Sequence, residues 1–370
     1  MPEPIMAIRF DGLLITRLRA RDEASLTFRP HRVITVNSNA MAQPGKAAHD
    51  WIRYPRSVSM WRFTFGCAYN SPMDYITSDQ LKRVTKRSSF EASKLIVTDW
   101  VIITGTFLVA AYWPNLLTWV IAVFILGARQ LGLGVIVHET GHGTFFPSKS
   151  LNEFAGRWLS GYWVFSNKSG YMRVHRKHHE LAGTDADPDL GNYIHYPVSQ
   201  RSFMRKIWRD LSGQTGWRRM KSIGRSLKRY RSLDAEAQAT IRGGVILNGG
   251  LLVVVTLAGH PELFLLWVIA FMTSHMLSTR LRQMAEHAAV PDRLSSDARL
   301  NTRTLYTRWW ERLFIAPHQI AYHMEHHLLQ SVPIYRLPLF HQMLLENGYH
   351  KGVVFVRGFW PLIQQITLKN

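Results

Sequence analysis

Apolar residues gather into four long runs along the chain. Residues 95–113 (LIVTDWVIITGTFLVAAYW) hold 19 positions with Asp99 as their only charge. After Pro114 and Asn115, residues 116–137 (LLTWVIAVFILGARQLGLGVIV) add 22 positions with only Arg129 charged. A second pair, 243–259 and 263–278, is split by His260, Pro261 and Glu262. A bilayer core asks for roughly 20 apolar residues per helix. Each pair is joined by a very short, nearly uncharged connection carrying proline, which suits a tight turn at one side of a membrane. The pattern predicts two transmembrane hairpins. Buried core helices in a large soluble protein are the competing reading, and two paired runs near spanning length weigh against it. The aromatic stretch 154–165 (FAGRWLSGYWVF) is too short to span and is expected at the membrane interface, where such rings prefer to sit.

Charge changes meaning once it is laid on this pattern. The 370 residues carry a net charge of +20, which taken alone suggests a nucleic-acid binder. Yet 46% of residues are hydrophobic and 13 are Trp, too apolar and aromatic for a disordered basic tail. Residues 143–242, between the hairpins, hold 18 Lys and Arg against 8 Asp and Glu, densest over 217–231. The positive-inside bias then places this loop and both chain ends in the cytoplasm, and no nucleic-acid partner is expected. The mean hydropathy of −0.09 resolves into greasy helices diluted by a basic cap. A single cysteine, Cys67, excludes an intrachain disulfide framework, a Cys-ligated zinc ribbon and an Fe–S cluster. Residues 1–72 lack a clear period and a secretory leader pattern. They are expected to be flexible or loosely docked, with Met41 and Met73 each a plausible start.

Chemistry concentrates in the histidines, of which there are 17. His138-Glu139-Thr140-Gly141-His142 closes the second span. His175-Arg176-Lys177-His178-His179 lies in the basic loop, and His323-Met324-Glu325-His326-His327 follows the fourth span. Spacings of three and four place the members of a box on one helix face, so they can converge on a metal without backbone strain. At this histidine frequency an HxxHH box arises by chance in roughly a few chains per hundred, and two are present. A four-span topology puts all three boxes on the same side of the membrane. His287, beyond the fourth span, is a ninth candidate, with Gln283 one turn before it. Imidazole suits Zn, Cu, Fe or Ni, so ligand type leaves the metal open. Eight or nine histidines exceed one ion's needs and suggest a two-metal centre. Soluble di-iron bundles use carboxylates with two Glu-x-x-His motifs, and only Glu139 to His142 fits that here. A His-rich di-iron site is the leading reading.

These strings resemble the membrane fatty acid desaturase superfamily, which includes lipid hydroxylases and carotenoid ketolases. The similarity covers roughly residues 73–350. It is densest where box two runs on through Ala182-Gly183-Thr184-Asp185-Ala186-Asp187-Pro188-Asp189 and box three through Leu328-Leu329-Gln330-Ser331-Val332-Pro333 to Tyr335-Arg336-Leu337-Pro338. The resemblance implies an all-α integral membrane protein, with four transmembrane helices under a cytoplasmic helical cap and an acyl tunnel ending at two irons. By it, His138, His142, His175, His178, His179, His323, His326 and His327 would be ligands. His287 would match an isolated ligand after the fourth span, and Gln283 a polar residue near the metal through water. The implied activity is O2-dependent removal of hydrogen from an unactivated C–H bond of a lipid chain, with desaturation favoured over hydroxylation or ketone formation. Two electrons per turnover would come from an external carrier of ferredoxin, rubredoxin or cytochrome b5 type, since no fused haem-binding string is present. The basic stretch 218–231 could steer such a carrier, hold anionic headgroups or fix topology. The expected division is an N-terminal segment 1–72, a membrane domain 73–350 and a C-terminal tail 351–370.

One rival comes from a different enzyme class. His138 to His142 is also an H-E-x-x-H zinc-peptidase pattern with Glu139 as the base, although that reading leaves two boxes unexplained.

Overall fold

The computed structural model describes residues 72–368 and, before them, two short backbone hairpins, Ala7–Phe10 with Leu13–Thr16 and Ser25–Phe28 with Arg32–Thr35. The rest of the segment 1–72, and its expected looseness, lie outside the described residues. The chain divides into units 1–69 and 70–370. The second unit is helical and carries all three boxes.

It opens with α1 (Ser78–Thr85), α2 (Ser89–Tyr112) and α3 (Leu116–His142). Side-chain caps start the long pair: Ser88 accepts from the Glu91 amide and Asn115 from the Thr118 amide. Then come α4 (Lys149–Arg157), α5 (Lys168–Leu181), the single turn α6 (Leu190–Tyr193), α7 (Gln200–Leu211) and α8 (Gln214–Lys228). The second hairpin is α9 (Ala235–Leu257) with α10 (Glu262–Met272), which α11 (Ser274–His287) extends. The chain closes through α12 (Ala298–Asn301), α13 (Trp309–Phe314), α14 (His323–Leu328), α15 (Leu337–Glu346) and α16 (Phe359–Ile366).

Four helical stretches, 78–112, 116–142, 235–257 and 262–287, are long and apolar enough to cross a membrane. Val101, Leu108, Val254 and Leu257 point outward and exposed, as contact with lipid tails requires. The two charges inside the first hairpin face inward and satisfy each other. Asp99 and Arg129 sit at matching depths, about 20 Å along their helices from the turn at 113–115. Arg129 Nη1 donates to Asp99 Oδ1 at 3.0 Å, and His318 Nε2 approaches Asp99 Oδ2 at 2.8 Å. Arg129 Nη2 also donates to the Arg312 carbonyl at 2.5 Å. An unpaired charge here would be costly, so the pair also anchors the cap segment 312–318 on the spans. Gly132 makes the approach possible, because a Cβ there would lie 2.6 Å from Asp99 Oδ2.

Packing adds to one sequence expectation and corrects another. The aromatic stretch 154–165 packs against the spans. The Trp163 ring meets Trp100 edge-on at 4.6 Å and lies 6.4 Å from Trp267. Room comes from Gly243 and Gly244, where added Cβ atoms would stand 2.2 Å from the Tyr162 ring and 2.4 Å from the Phe165 ring. Phe154 and Trp158 stay exposed. The fourth span is broken rather than continuous through Ser278. At Thr273 the backbone leaves the helical region (φ −121°, ψ −85°), and the Ser274 hydroxyl turns across to the Val123 carbonyl at 2.6 Å. Gly127 admits this crossing, since a Cβ there would fall 2.1 Å from Ser274 Oγ. The break lets α11 turn out of the hairpin and carry His287 into the cap.

The segment after His350 is built into the cap. Val356–Arg357 pairs with Leu305–Tyr306, Phe359 and Leu362 are buried, and Thr367–Leu368 pairs with Val198–Ser199.

Candidate metal centre

Nine histidines meet at the ends of α3 and α11 remote from the hairpin turns. His138, His142, His175, His179 and His326 form one nest, and His178, His287, His323 and His327 a second. Within each nest the ligand atoms lie within 4.8 Å of one another. The expectation that each box shares one helix face is met for box one and refined for the other two. On α5, His175 and His179, one turn apart, serve the first nest while His178 faces the second. On α14 the split is reversed: His323 and His327 serve the second nest and His326 the first. Offsets of +4 stay on one face whereas +3 swings towards the neighbouring one, so an HxxHH helix can bridge two centres.

Local chemistry places each helix. Gly143 ends α3 in the left-handed region (φ +73°), directly after His142. Gly141 lets α5 come close, because a Cβ there would lie 2.4 Å from Met172 Cγ. As a result His142 Nε2 stands 3.1 Å from His175 Nε2, which stands 2.9 Å from His179 Nε2. His326 Nε2 lies 3.0 Å from His179 Nε2, and in the second nest His287 Nε2 lies 3.0 Å from His323 Nε2. Two nitrogens bound at right angles, each about 2.1 Å from a shared ion, are about 3 Å apart.

Outer partners fix the rings. His138 Nδ1 meets Glu139 Oε1 at 2.8 Å, His178 Nδ1 meets Asp187 Oδ1 at 2.8 Å, and His287 Nδ1 meets the Asn301 carbonyl at 3.0 Å. Glu286 Oε1 lies 3.4 Å from His323 Nδ1 and accepts from Arg282 Nε at 2.6 Å. The hydrogen bonds to His138, His178 and His287 hold the Nδ1 proton and turn Nε2 inward. Tyr171 stacks on His175 and Tyr193 on His287, and the Tyr193 hydroxyl donates to Asp187. Burial drives His175, His323, His326 and His327 below the usual imidazole range, and burial with neighbouring imidazoles holds His179 at about 2. These rings are therefore neutral donors at pH 7.

The donor set fits a pair of metal ions. His138 Nε2 and His327 Nε2 are buried with no hydrogen-bond partner among the described residues, each beside its own nest. Glu139 does not face the nest as a peptidase base would. Its second oxygen accepts from the Ile334 amide at 3.0 Å, so both carboxylate oxygens are engaged. Gln283 is half-buried one turn before His287.

The fatty acid desaturase family model matches residues 114–359, a span holding all nine histidines. The chain belongs to the fatty acid desaturase family. This desaturase is 26% identical over 261 residues to dihydrorhizobitoxine desaturase of Bradyrhizobium elkanii, covering 64% of this chain and 72% of that protein. It is 30% identical over 138 residues to the sn-1 acyl-lipid omega-3 desaturase (ferredoxin) of Synechocystis sp., covering 36% of this chain and 37% of that one. A chloroplastic temperature-sensitive sn-2 acyl-lipid omega-3 desaturase (ferredoxin) of Arabidopsis thaliana is 35% identical over 88 residues, which is 24% of this chain and 20% of the relative. Family membership makes the chain an oxidoreductase, and the zinc-peptidase reading falls with it.

Several site residues escaped the sequence reading. Glu286 and Asn301 carry no motif, and Asp187 stood only inside a quoted string. A signal existed for Glu286, which lies one helical turn after Arg282 and beside His287.

Proposed function

We propose that this desaturase holds two irons, one in the nest of His138, His142, His175, His179 and His326 and one in the nest of His178, His287, His323 and His327. The observation that carries this is the pairing of two buried all-imidazole nests bridged by α5 and α14. Bound there, the irons would supply O2-dependent oxidation of an unactivated C–H bond. The chain's own part is orientation and exclusion of water. Asp187 and Glu139 hold His178 and His138 with Nε2 turned inward. Tyr171 and Tyr193 lie as plates over His175 and His287.

The substrate in this reading is a lipid acyl chain, and the product gains a C=C bond. Support comes from the lipid-facing spans and from acyl-lipid desaturases among the relatives. Two of those relatives are named with ferredoxin, which supports an external electron carrier of that class. The excess of Lys and Arg over 143–242 supports a site on the cytoplasmic face. Lipid mass spectrometry of a host expressing the chain tests the reaction: desaturation removes about 2 Da from a lipid, whereas hydroxylation adds about 16 Da. No mass change of either kind would contradict the reading.

A further inference from the structure

We propose that Glu325, His341 and His350 form a third cation site, a structural one that takes a zinc-class divalent ion. It draws on α14, on α15 and on the loop that follows it. Ligand atoms of all three residues lie within 4.8 Å of one another. Glu325 Oε1 is 2.6 Å from His341 Nδ1 and 3.1 Å from His350 Nε2. Glu325, His341 and His350 are only 0%, 4% and 3% exposed.

Outer contacts orient the donors inward. The Thr304 hydroxyl donates to Glu325 Oε2 at 2.5 Å, leaving Oε1 turned towards both imidazoles. The Tyr306 hydroxyl meets His341 Nε2 at 2.6 Å, so that ring presents Nδ1 to the carboxylate. This is the support that metal-binding histidines normally receive. His350 is the deciding residue. Both of its ring nitrogens are buried without a hydrogen-bond partner, although Nε2 stands 3.1 Å from Glu325 Oε1. A buried ring nitrogen without a well-formed hydrogen bond is unfavourable, and a cation shared with Glu325 would satisfy Nε2.

Two imidazoles and one carboxylate make a zinc-type donor set, whereas Mg and Ca prefer all-oxygen sites. The ion would clamp α15 and the loop at 347–350 onto the helix that carries box three. It would hold His323, His326 and His327 from behind without joining either nest. The inference does not depend on iron in the nests.

Zinc and iron are counted by plasma mass spectrometry on the full chain, purified without a polyhistidine tag. About one zinc per chain is expected, and H350Q and H341Q each lose it while iron stays unchanged. Y306F, which removes only the outer contact, weakens zinc retention against a chelator by about 10- to 100-fold. Wild-type zinc near zero, or zinc unchanged in H350Q, overturns the proposal. Should those variants fail to fold, zinc-edge X-ray absorption of the wild type decides. A mixed nitrogen and oxygen shell with two imidazoles supports the site, whereas an all-imidazole shell assigns the zinc to a nest and overturns it. Failure of the iron reading shows separately, as iron missing from every sample.

Discussion

The two nests are built from the same side chain but held in different ways. The first has five imidazoles and one carboxylate behind them, Glu139. Its rings orient one another across edge contacts such as His175 to His179 at 4.4 Å and His138 to His175 at 4.5 Å. The second has four imidazoles and a fuller outer set: Asp187 on His178, the Asn301 carbonyl on His287, and Glu286 beside His323. Each nest draws its ligands from three helices, so the number of elements does not separate them. The first has one ring more to brace the others, and the second has more hydrogen bonds behind its rings. The difference teaches that the outer partners matter most where fewer rings brace one another.

Removing a histidine gives the largest effect. His142→Ala and His178→Ala should each reduce lipid oxidation by more than about 100-fold and bring iron from about two per chain towards one. Full activity in either variant would break the claim that both nests serve one reaction. Next come the outer partners. Asp187→Ala should cost about 10- to 100-fold in activity or metal affinity, and Tyr193→Phe less, because it leaves the carboxylate in place. Glu139→Gln should cost less than Asp187→Ala, since the first nest has five rings to orient one another. The reverse ranking would contradict the comparison.

Acid should separate the loaded protein from the metal-free one. Burial lowers the folded-state pKa of His175, His179, His323, His326 and His327, so the unfolded chain binds more protons below its ordinary value of 6.5. Stability is therefore present above pH 6.5 and is lost as pH falls towards the folded values, about 2 for His179. Each such histidine contributes at most about 1.4 kcal/mol per pH unit in that window. Thermal melting at pH 7.5 and 5.5 should show a larger drop for metal-free protein than for metal-loaded protein, whose ligated rings resist protonation. The smallest effect belongs to Gln283→Ala, which removes no imidazole and no outer carboxylate and should change activity by no more than about 3-fold.

Much of this was legible in the sequence, because its signals were local. Apolar runs of spanning length marked the hairpins, and Asp99 and Arg129 stood out as lone charges within them. The boxes named eight of the nine converging histidines, and His287 was singled out beside them. What stayed hidden depended on neighbours distant in the chain. Thr273 reads like any residue of an apolar helix, and its break is set by Ser274 reaching across to Val123. The packing of 154–165 depends on space left by Gly243 and Gly244, some 80 residues later. The split of α5 and α14 between nests follows from helix geometry, but which member goes where needed the docking of both helices. Asn301 gained its role only when α11 brought His287 beside it, and Glu286 when α14 brought His323 near it.

Iron content of the purified full-length chain tests the central claim most directly. About two irons per chain, falling towards one in His142→Ala and in His178→Ala, is the result expected from two all-imidazole nests. Iron near zero in protein that folds and extracts intact from membranes would contradict it.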